Sequence, residues 1–325
     1  MSDLRVRLHA GDPPAALAEL ARSPAGSFFH TPSWLRAVTV AAPHLAVRVI
    51  LVEDAAGTLQ AAVPLLVAER WGVRRVYAGA WGTYGGVVAC SAAASTAAAG
   101  ALARVARAPR TALVRVHDFA ASLGSTAGWI ETEELCLVLD LPADPEVLFR
   151  DAFTTQNRNK IRKAEKLGVT VRRGSGPEDL GRYADLYAES AVRWDLATPL
   201  PREFFLALSA APAGVEVWLA ERAGEVLAGL LNFNCGGQVM NWGNVSRRDA
   251  WALSPNNLLH WRALSAACRD AQGPRLYNFG GSTGLPGVET FKTAFGPRPH
   301  RYRRREHRAP WAAWLLRTRR GAGEA

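Results

Sequence analysis

Apolar and polar residues alternate most regularly in two stretches far apart in the chain. Residues 47–63 read VRVILVEDAAGTLQAAV, and residues 215–230 read VEVWLAERAGEVLAGL. Each has apolar residues at every second position, a turn with Gly, then apolar residues again, the signature of a β-hairpin. With one gap they share V-x-V-x-L-x-E-x-A-G-x-hydrophobic-x-A. They lie about half the chain apart, far beyond solenoid periods. A duplicated domain is the expectation, and chance likeness of two hairpins is the alternative.

Helical spacing and its start signals fill in the rest. Pro13-Pro14 before AALAELA predicts a helix over 13–22. Thr31-Pro-Ser-Trp-Leu35 opens another, with Thr31 as N-cap and Pro32 in the first helical position. After the first hairpin and the Gly- and aromatic-rich stretch Gly79–Gly86 come an Ala-rich helix over 91–107 and strands near 112–117 and 135–140. A linker, Leu141-Pro-Ala-Asp-Pro145, leads to a basic helix over 146–167 that ends at Gly168. A strand at 169–173, helices near 177–193 and 201–210, and the second hairpin follow. The strand 238–245, a helix from Ser254-Pro255 to Gly273 and a strand at 275–279 make a β-α-β unit, which places ligands at the carboxyl ends of its strands. The order predicts a mixed α/β chain with domains over 1–145 and 146–297 and a basic Arg/Trp-rich tail over 298–325.

Charge changes this picture in two places. The chain carries 39 basic and 29 acidic residues, a net +10 over 325 residues, and such a balance looks for an anionic partner. Residues 298–325 hold +7 and residues 156–173 hold +6, leaving the remainder at −3. Lysine is rare: only Lys160, Lys163, Lys166 and Lys292 occur, and every other basic residue is Arg. Lys292 is the isolated one. The hydrophobic fraction of 49% and charged fraction of 21% are those of a globular protein, not a disordered or fibrous one. Cys90, Cys136, Cys235 and Cys268 show no C-x-x-C pair, so free thiols in a reducing compartment are expected. No apolar signal stretch opens the chain, and the uncharged run 76–103 is too polar for a membrane span. A cytoplasmic location is the expectation.

Several motifs together carry a family resemblance. They are Thr31-Pro-Ser-Trp-Leu35, Tyr84-Gly-Gly86, Asn157-Arg-Asn-Lys-Ile-Arg-Lys-Ala-Glu-Lys-Leu-Gly-Val169, Pro255-Asn-Asn-Leu-Leu-His-Trp261, Phe279-Gly-Gly-Ser282 and Thr290-Phe-Lys-Thr-Ala-Phe-Gly296. In order and spacing, over roughly 25–297, they resemble the FemAB family of double-GNAT acyltransferases. The resemblance implies two tandem GNAT-like domains, which would account for the repeat. It also implies transfer of an aminoacyl group from aminoacyl-tRNA to an amine acceptor, a small molecule or a cell-wall precursor, to form an amide.

Amide formation needs a neutral amine, an activated carbonyl and a stabilised oxyanion, the last usually the largest electrostatic contribution. Lys292 is the candidate for the oxyanion, since apolar neighbours would desolvate its ammonium. The resemblance places the pair Phe291 and Lys292 at the reaction centre, against the plainer reading of a surface lysine on a strand or turn. Arg193, at a helix end before Trp194-Asp195, falls where the family has an acceptor-binding arginine; a solvated helix-end Arg is the alternative. Tyr84 is a candidate lining residue of an acceptor cleft between the domains, or else an aromatic packed in a tight Gly turn. Trp242 is grouped with these as substrate-binding.

The donor turns on Ser246-Arg-Arg-Asp-Ala-Trp-Ala-Leu-Ser254. An acetyl-CoA loop would read Q/R-x-x-G-x-G/A, its glycines letting backbone N–H groups approach the pyrophosphate at a helix N-terminus. Arg247, Ala250 and Ala252 keep the spacing, but the stretch has no Gly. Together with the resemblance, that absence favours aminoacyl-tRNA as donor co-substrate, without a cofactor, over acetyl-CoA. Arg158, Arg162, Lys163 and Lys166 recur at helical spacings and are the candidate tRNA contacts along the phosphate backbone; a solvated helix face is the alternative. In the tail, Trp311, Trp314, Leu315 and Leu316 make an amphipathic patch suited to RNA, an anionic membrane surface or packing on the body. No metal cluster and no Ser-His-Asp arrangement is evident. Asp195 is one conceivable base, assistance by the substrate another, and His260 reads as packing or surface. The runner-up functions are acyl-CoA-dependent N-acetylation and a non-catalytic RNA- or membrane-binding scaffold.

Overall fold

The computed structural model describes residues 4–124, 127–271, 273–281 and 286–312. The chain divides into two compact units, Met1–Glu134 with Arg301–Ala325, and Leu135–His300. The division therefore falls earlier than the expected 145/146 boundary. It also gives the end of the chain to unit 1.

Unit 1 begins with β1 (Arg5–Ala10), α1 (Leu17–Leu20) and α2 (Pro32–Ala41). β2 (Leu45–Glu53), β3 (Leu59–Arg70) and β4 (Val73–Ala78) come next, then the short β5 (Val88–Ala89), α3 (Ala92–Arg107) and β6 (Thr111–Asp118). β7 (Ile130–Asp140) carries the chain into unit 2. There follow α4 (Pro145–Val147), α5 (Thr155–Lys166), β8 (Thr170–Arg173), α6 (Gly176–Arg193) and α7 (Arg202–Leu208). β9 (Val215–Arg222), β10 (Glu225–Cys235), β11 (Gln238–Ser246), α8 (Pro255–Arg269), β12 (Leu276–Gly280) and α9 (Pro286–Thr293) complete unit 2, and β13 (Arg298–Arg308) ends in unit 1.

The two units share one topology. In unit 1, β1, β2, β3 and β4 run antiparallel in that order, β4 pairs in parallel with β6, and β13 closes antiparallel on β6. In unit 2, β8, β9, β10 and β11 run antiparallel, β11 pairs in parallel with β12, and β7 closes antiparallel on β12. The two repeated stretches are the β2–β3 and β9–β10 hairpins, equivalent elements of the two sheets. Each unit takes its closing strand from the chain that follows the other unit's parallel strand.

Strand alternation sends side chains to both faces of each sheet. In unit 1, Ile50 and Val52 pack with Ala94, Ala98 and Leu102 of α3, while Val49 and Leu51 are buried on the opposite face. The alanines of α3 let it lie close to the sheet, and Ser91 caps it by accepting from the Ala94 amide. In unit 2, Ala228 and Leu230 pack under Leu258, Leu259 and Leu264 of α8 and Ile161 and Ala164 of α5. Tyr183, Phe204 and Phe205, from α6 and α7, are fully buried, and the Tyr183 ring lies where a side chain on Gly229 would stand. Asp179 anchors α6: it accepts two bonds from Arg172, both 2.7 Å, and one from the Ser175 amide. Those bonds, chiefly Arg172's, pull its carboxyl down to about 2.

The segment set apart as a basic tail is a strand over Arg298–Arg308. Its charge is met by carboxylates: Arg298 by Asp140, Arg301 by Glu133, Arg303 by Glu131, Arg304 by Glu134, and Arg308 by Glu306. Trp314, Leu315 and Leu316 lie outside the described residues. The expected basic helix over 146–167 is broken: α4 passes into a wider π-type turn over Leu148–Ala152, and α5 restarts after Thr154, whose hydroxyl accepts from the Asn157 amide. Among the described residues no helix is long and apolar enough to cross a membrane, and no cluster of His, Cys, Asp and Glu could hold a metal ion.

Candidate active site

The topology of unit 2 opens its sheet at one place. β11 and β12 pair in parallel only over Gln238–Met240 and Leu276–Asn278. β11 then runs on from Asn241 to Ser246 without β12. A bulge falls at Trp242, where the register against β10 shifts between Leu231 and Asn232. Bulges re-aim a strand, and a crevice at the carboxyl ends of parallel strands is where open α/β sheets take ligands.

Lys292 reaches this crevice from α9, a helix rather than the strand or turn of the plainer reading. Its Nζ donates to the Gly281 carbonyl at 2.6 Å. It also lies 4.0 Å from where a Cβ on Gly280 would stand, with Met240 Cε at 3.2 Å from the same point. Gly280 has φ +70°, so glycine here supplies both the backbone turn and the space. Burial lowers the Lys292 pKa to about 8. An ammonium has three donors; among the described residues one serves Gly281 and the other two meet no acceptor.

Beneath it lies an aromatic floor. His260 stacks on Phe279 at 5.6 Å and meets Phe291 and Phe295 edge-on or tilted at 5.2 and 5.1 Å. Burial, reinforced by the Lys292 charge, lowers the His260 pKa to about 3, so the ring is neutral. Its Nδ1 is 3.4 Å from the Tyr277 hydroxyl, which donates to Asn232 Oδ1 at 3.3 Å; Asn241 Nδ2 donates to the same oxygen at 3.2 Å. Phe291 is thus a wall of the Lys292 site.

Three motifs of the sequence converge on α9. Asn157 Nδ2, on α5, donates to the Ala294 carbonyl at 3.2 Å, and Asn257 Nδ2, on α8, donates to Asn157 Oδ1 at 2.8 Å. The Thr154 amide bonds the same carbonyl at 3.0 Å. These asparagines hold the end of the helix that carries Lys292. They stood in the quoted motifs, but their role needed the fold to bring residues about a hundred positions apart into contact.

The other expected site residues have different fates. Arg193 ends α6 beside the far end of β11: its Nη2 donates to the Ser246 carbonyl at 3.1 Å and to Ser190 Oγ at 2.9 Å, and its guanidinium lies 5.4 Å from the Trp251 ring and 5.9 Å from Trp194. It is a half-buried helix-end residue bonded to the last residue of the crevice strand, not a free helix-end charge. Trp242, at the bulge, packs against Phe204, Phe205 and Phe233. Tyr84 belongs to unit 1, 4% exposed, stacked on Phe119 at 4.4 Å and edge-on to Phe29 and Tyr302. Its place is the packed aromatic of the alternative reading. Arg158 turns back on the chain, donating to the carbonyls of Phe149, Arg150 and Phe153 and to Thr155 Oγ1. That guanidinium closes the break between the π-type turn and α5, because the broken helix leaves carbonyls that need donors. Arg162, Lys163 and Lys166 stay exposed on α5. Asp195 is exposed, with φ +54°.

Residues 152–293 match the family model for an acetyltransferase (GNAT) domain. None of the curated proteins matches the chain. Among solved structures it is similar to FemX, with TM-score 0.71 at 15% identity over 96% of this chain and 99% of that one. It is also similar to the C-terminal domain of a putative lysylphosphatidylglycerol synthetase from Agrobacterium fabrum, with TM-score 0.63 at 12% identity over 93% and 94%. L-PGS from Bacillus licheniformis gives TM-score 0.59 at 12% identity over 94% of both. The chain thus has the fold of FemX, and its second unit carries an acetyltransferase (GNAT) domain over residues 152–293.

Proposed function

We propose that the protein forms an amide by moving an aminoacyl group from aminoacyl-tRNA to an amine acceptor, at the β11–β12 crevice of unit 2. The observation that carries this reading is Lys292, a partly desolvated ammonium beside Gly280 and Gly281 at the carboxyl ends of the parallel pair, where among the described residues it meets one acceptor. When an amine attacks an acyl carbonyl, charge develops on its oxygen. A positioned cation in a water-poor site stabilises that charge far more than one in bulk water. Phe291 and the neutral His260 keep the site poor in water and add no competing charge.

The donor reading rests on what surrounds the crevice. The segment 246–254 has no Gly, and Arg247, which keeps the spacing of an acetyl-CoA loop, is committed to Asp249 and Glu225 at 2.6 and 3.0 Å. Trp251 Nε1 and Asn256 Nδ2 both donate to Ser246 Oγ, closing this stretch on itself. Arg162, Lys163 and Lys166 present an exposed cationic face suited to a phosphate backbone. FemX is a neighbour in fold, and the lysylphosphatidylglycerol synthetase domain another.

The test supplies labelled aminoacyl-tRNAs and acetyl-CoA separately and measures binding and transfer to amines. Tight tRNA binding that weakens steeply with salt, and loses part of that salt dependence in the Arg162→Gln/Lys163→Gln/Lys166→Gln variant, is the expected result. Acetyl-CoA binding without tRNA binding would reverse the donor.

A further inference from the structure

The turn between β3 and β4 is built against its own sequence. Arg70 pairs with Val73, leaving Trp71-Gly72 as a two-residue connection. Both residues have positive φ, +51° and +73°, as in a type I′ hairpin turn. Asn and Gly suit such positions, and a bulky aromatic does not. Trp71 is also 87% exposed, the most open large apolar side chain of the described residues, with the Arg70 guanidinium 4.1 Å over one face of its ring. Neither backbone geometry nor burial explains tryptophan there.

Its surroundings are basic. The Arg74 amide bonds the Arg110 carbonyl at 2.7 Å, and the Arg110 guanidinium lies 3.8 Å from where a Cβ on Gly72 would stand. Arg104 and Arg107 project from the last turn of α3, at the same end of the sheet. Among the described residues Arg70, Arg104, Arg107 and Arg110 have no ion pair, unlike the arginines of β13. A second indole, Trp311, is 46% exposed on the turn after β13. That turn is tied to this end by the Ala309 amide on the Ala112 carbonyl and by packing of Ala309 and Ala312 on Ala112 and Val73.

We infer that this end of unit 1 is a docking surface for an anionic phospholipid bilayer, with Trp71 entering the interface and the unpaired arginines meeting lipid phosphates. Indoles settle at the membrane–water boundary, and clustered Arg is drawn to an anionic leaflet. Single-stranded nucleic acid instead takes open aromatic faces along a groove. Trp71 stands at a projecting tip with one face already covered.

The experiment sediments the full chain with vesicles of phosphatidylcholine alone and of phosphatidylcholine with phosphatidylglycerol, beside a Trp71→Asn variant. The wild type binds the anionic vesicles only, with a blue-shifted indole emission and a loss of binding at high salt. Trp71→Asn weakens binding by about tenfold or more. It melts no lower than the wild type, because Asn suits the positive φ and the native indole is exposed. Equal partition of the two proteins overturns the inference. So does absence of vesicle binding, or tRNA binding that Trp71→Asn abolishes while vesicles are ignored.

Discussion

The two units carry the same strand order and the same parallel pair, yet among the described residues only unit 2 leaves the end of that pair uncovered. In unit 1, β4 and β6 pair from Arg74 with Thr111 to Ala78 with Val116. The loop after β4 folds back on them: the Gly85 amide bonds the His117 carbonyl at 2.9 Å, and the Val87 amide bonds Ser122 Oγ at 2.9 Å. Asp118 holds that serine. The glycines of Gly79–Gly86 are what permit this. A Cβ on Gly79 would lie 2.3 Å from the Thr83 carbonyl oxygen, and one on Gly85 2.2 Å from that of Ala78. In unit 2 the stretch after β11, 247–254, has no glycine and is bonded to Ser246 through Trp251, while Lys292 lies beside Gly280 at the end of the parallel pair. The comparison teaches that a duplicated fold supplies two equivalent crevices, and that local glycines decide which is plugged.

Three predictions would break or sharpen this contrast. The largest effect belongs to Lys292→Met, which should fold and lose transfer activity by about 10²–10³-fold, the usual cost of removing an oxyanion donor; near-normal turnover would sink the role of the open crevice. Next come paired glycine substitutions. Gly85→Ala drives a methyl into the Ala78 backbone and should cost about 2–3 kcal/mol of stability by thermal or urea melting, with activity per folded molecule kept. Gly280→Ala, strained by its positive φ, should cost only about 1–2 kcal/mol, yet it puts a methyl beside Nζ and should lower activity as well. If Gly85→Ala reduced activity and Gly280→Ala did not, the assignment of plugged and open crevices would be inverted.

The smallest effect is in pH. If the ammonium form of Lys292 is the working one, activity declines as pH rises through about 8; a rise toward pH 8 would make Lys292 a base instead. Stability should follow the opposite course. The folded pKa lies below the unfolded value, so the charged lysine costs stability below about pH 8, and that cost fades as pH rises toward the ordinary lysine range. Lys292→Met should remove this slope and stabilise the fold at neutral pH by about 1 kcal/mol.

Much of the fold could be read locally. The period-two hairpins at 47–63 and 215–230 became equivalent hairpins of the two sheets, and the cap at Ser91 and the alanine run behind it fell on α3. These signals lie within a few residues of each other, where backbone period and capping act. Lys292 stood out by composition and motif, and the structure puts it in the crevice of unit 2. What failed was pairing at long range. Arg298–Arg308 read as a tail because its carboxylate partners, Glu131, Glu133, Glu134 and Asp140, are more than 150 positions away in sequence. Arg158 read as one of a surface set because nothing local announced a break in the helix before it.

Sequence alone determined the duplicated α/β pattern, the caps, the missing glycines of 246–254 and the singular lysine, since each depends on neighbours along the chain. Tertiary structure alone decided which charges are spent on one another, that Tyr84 is packed away, and that Gly280 opens the space Lys292 faces. A side chain's free energy is set by what surrounds it in space, and that becomes definite only when distant segments meet.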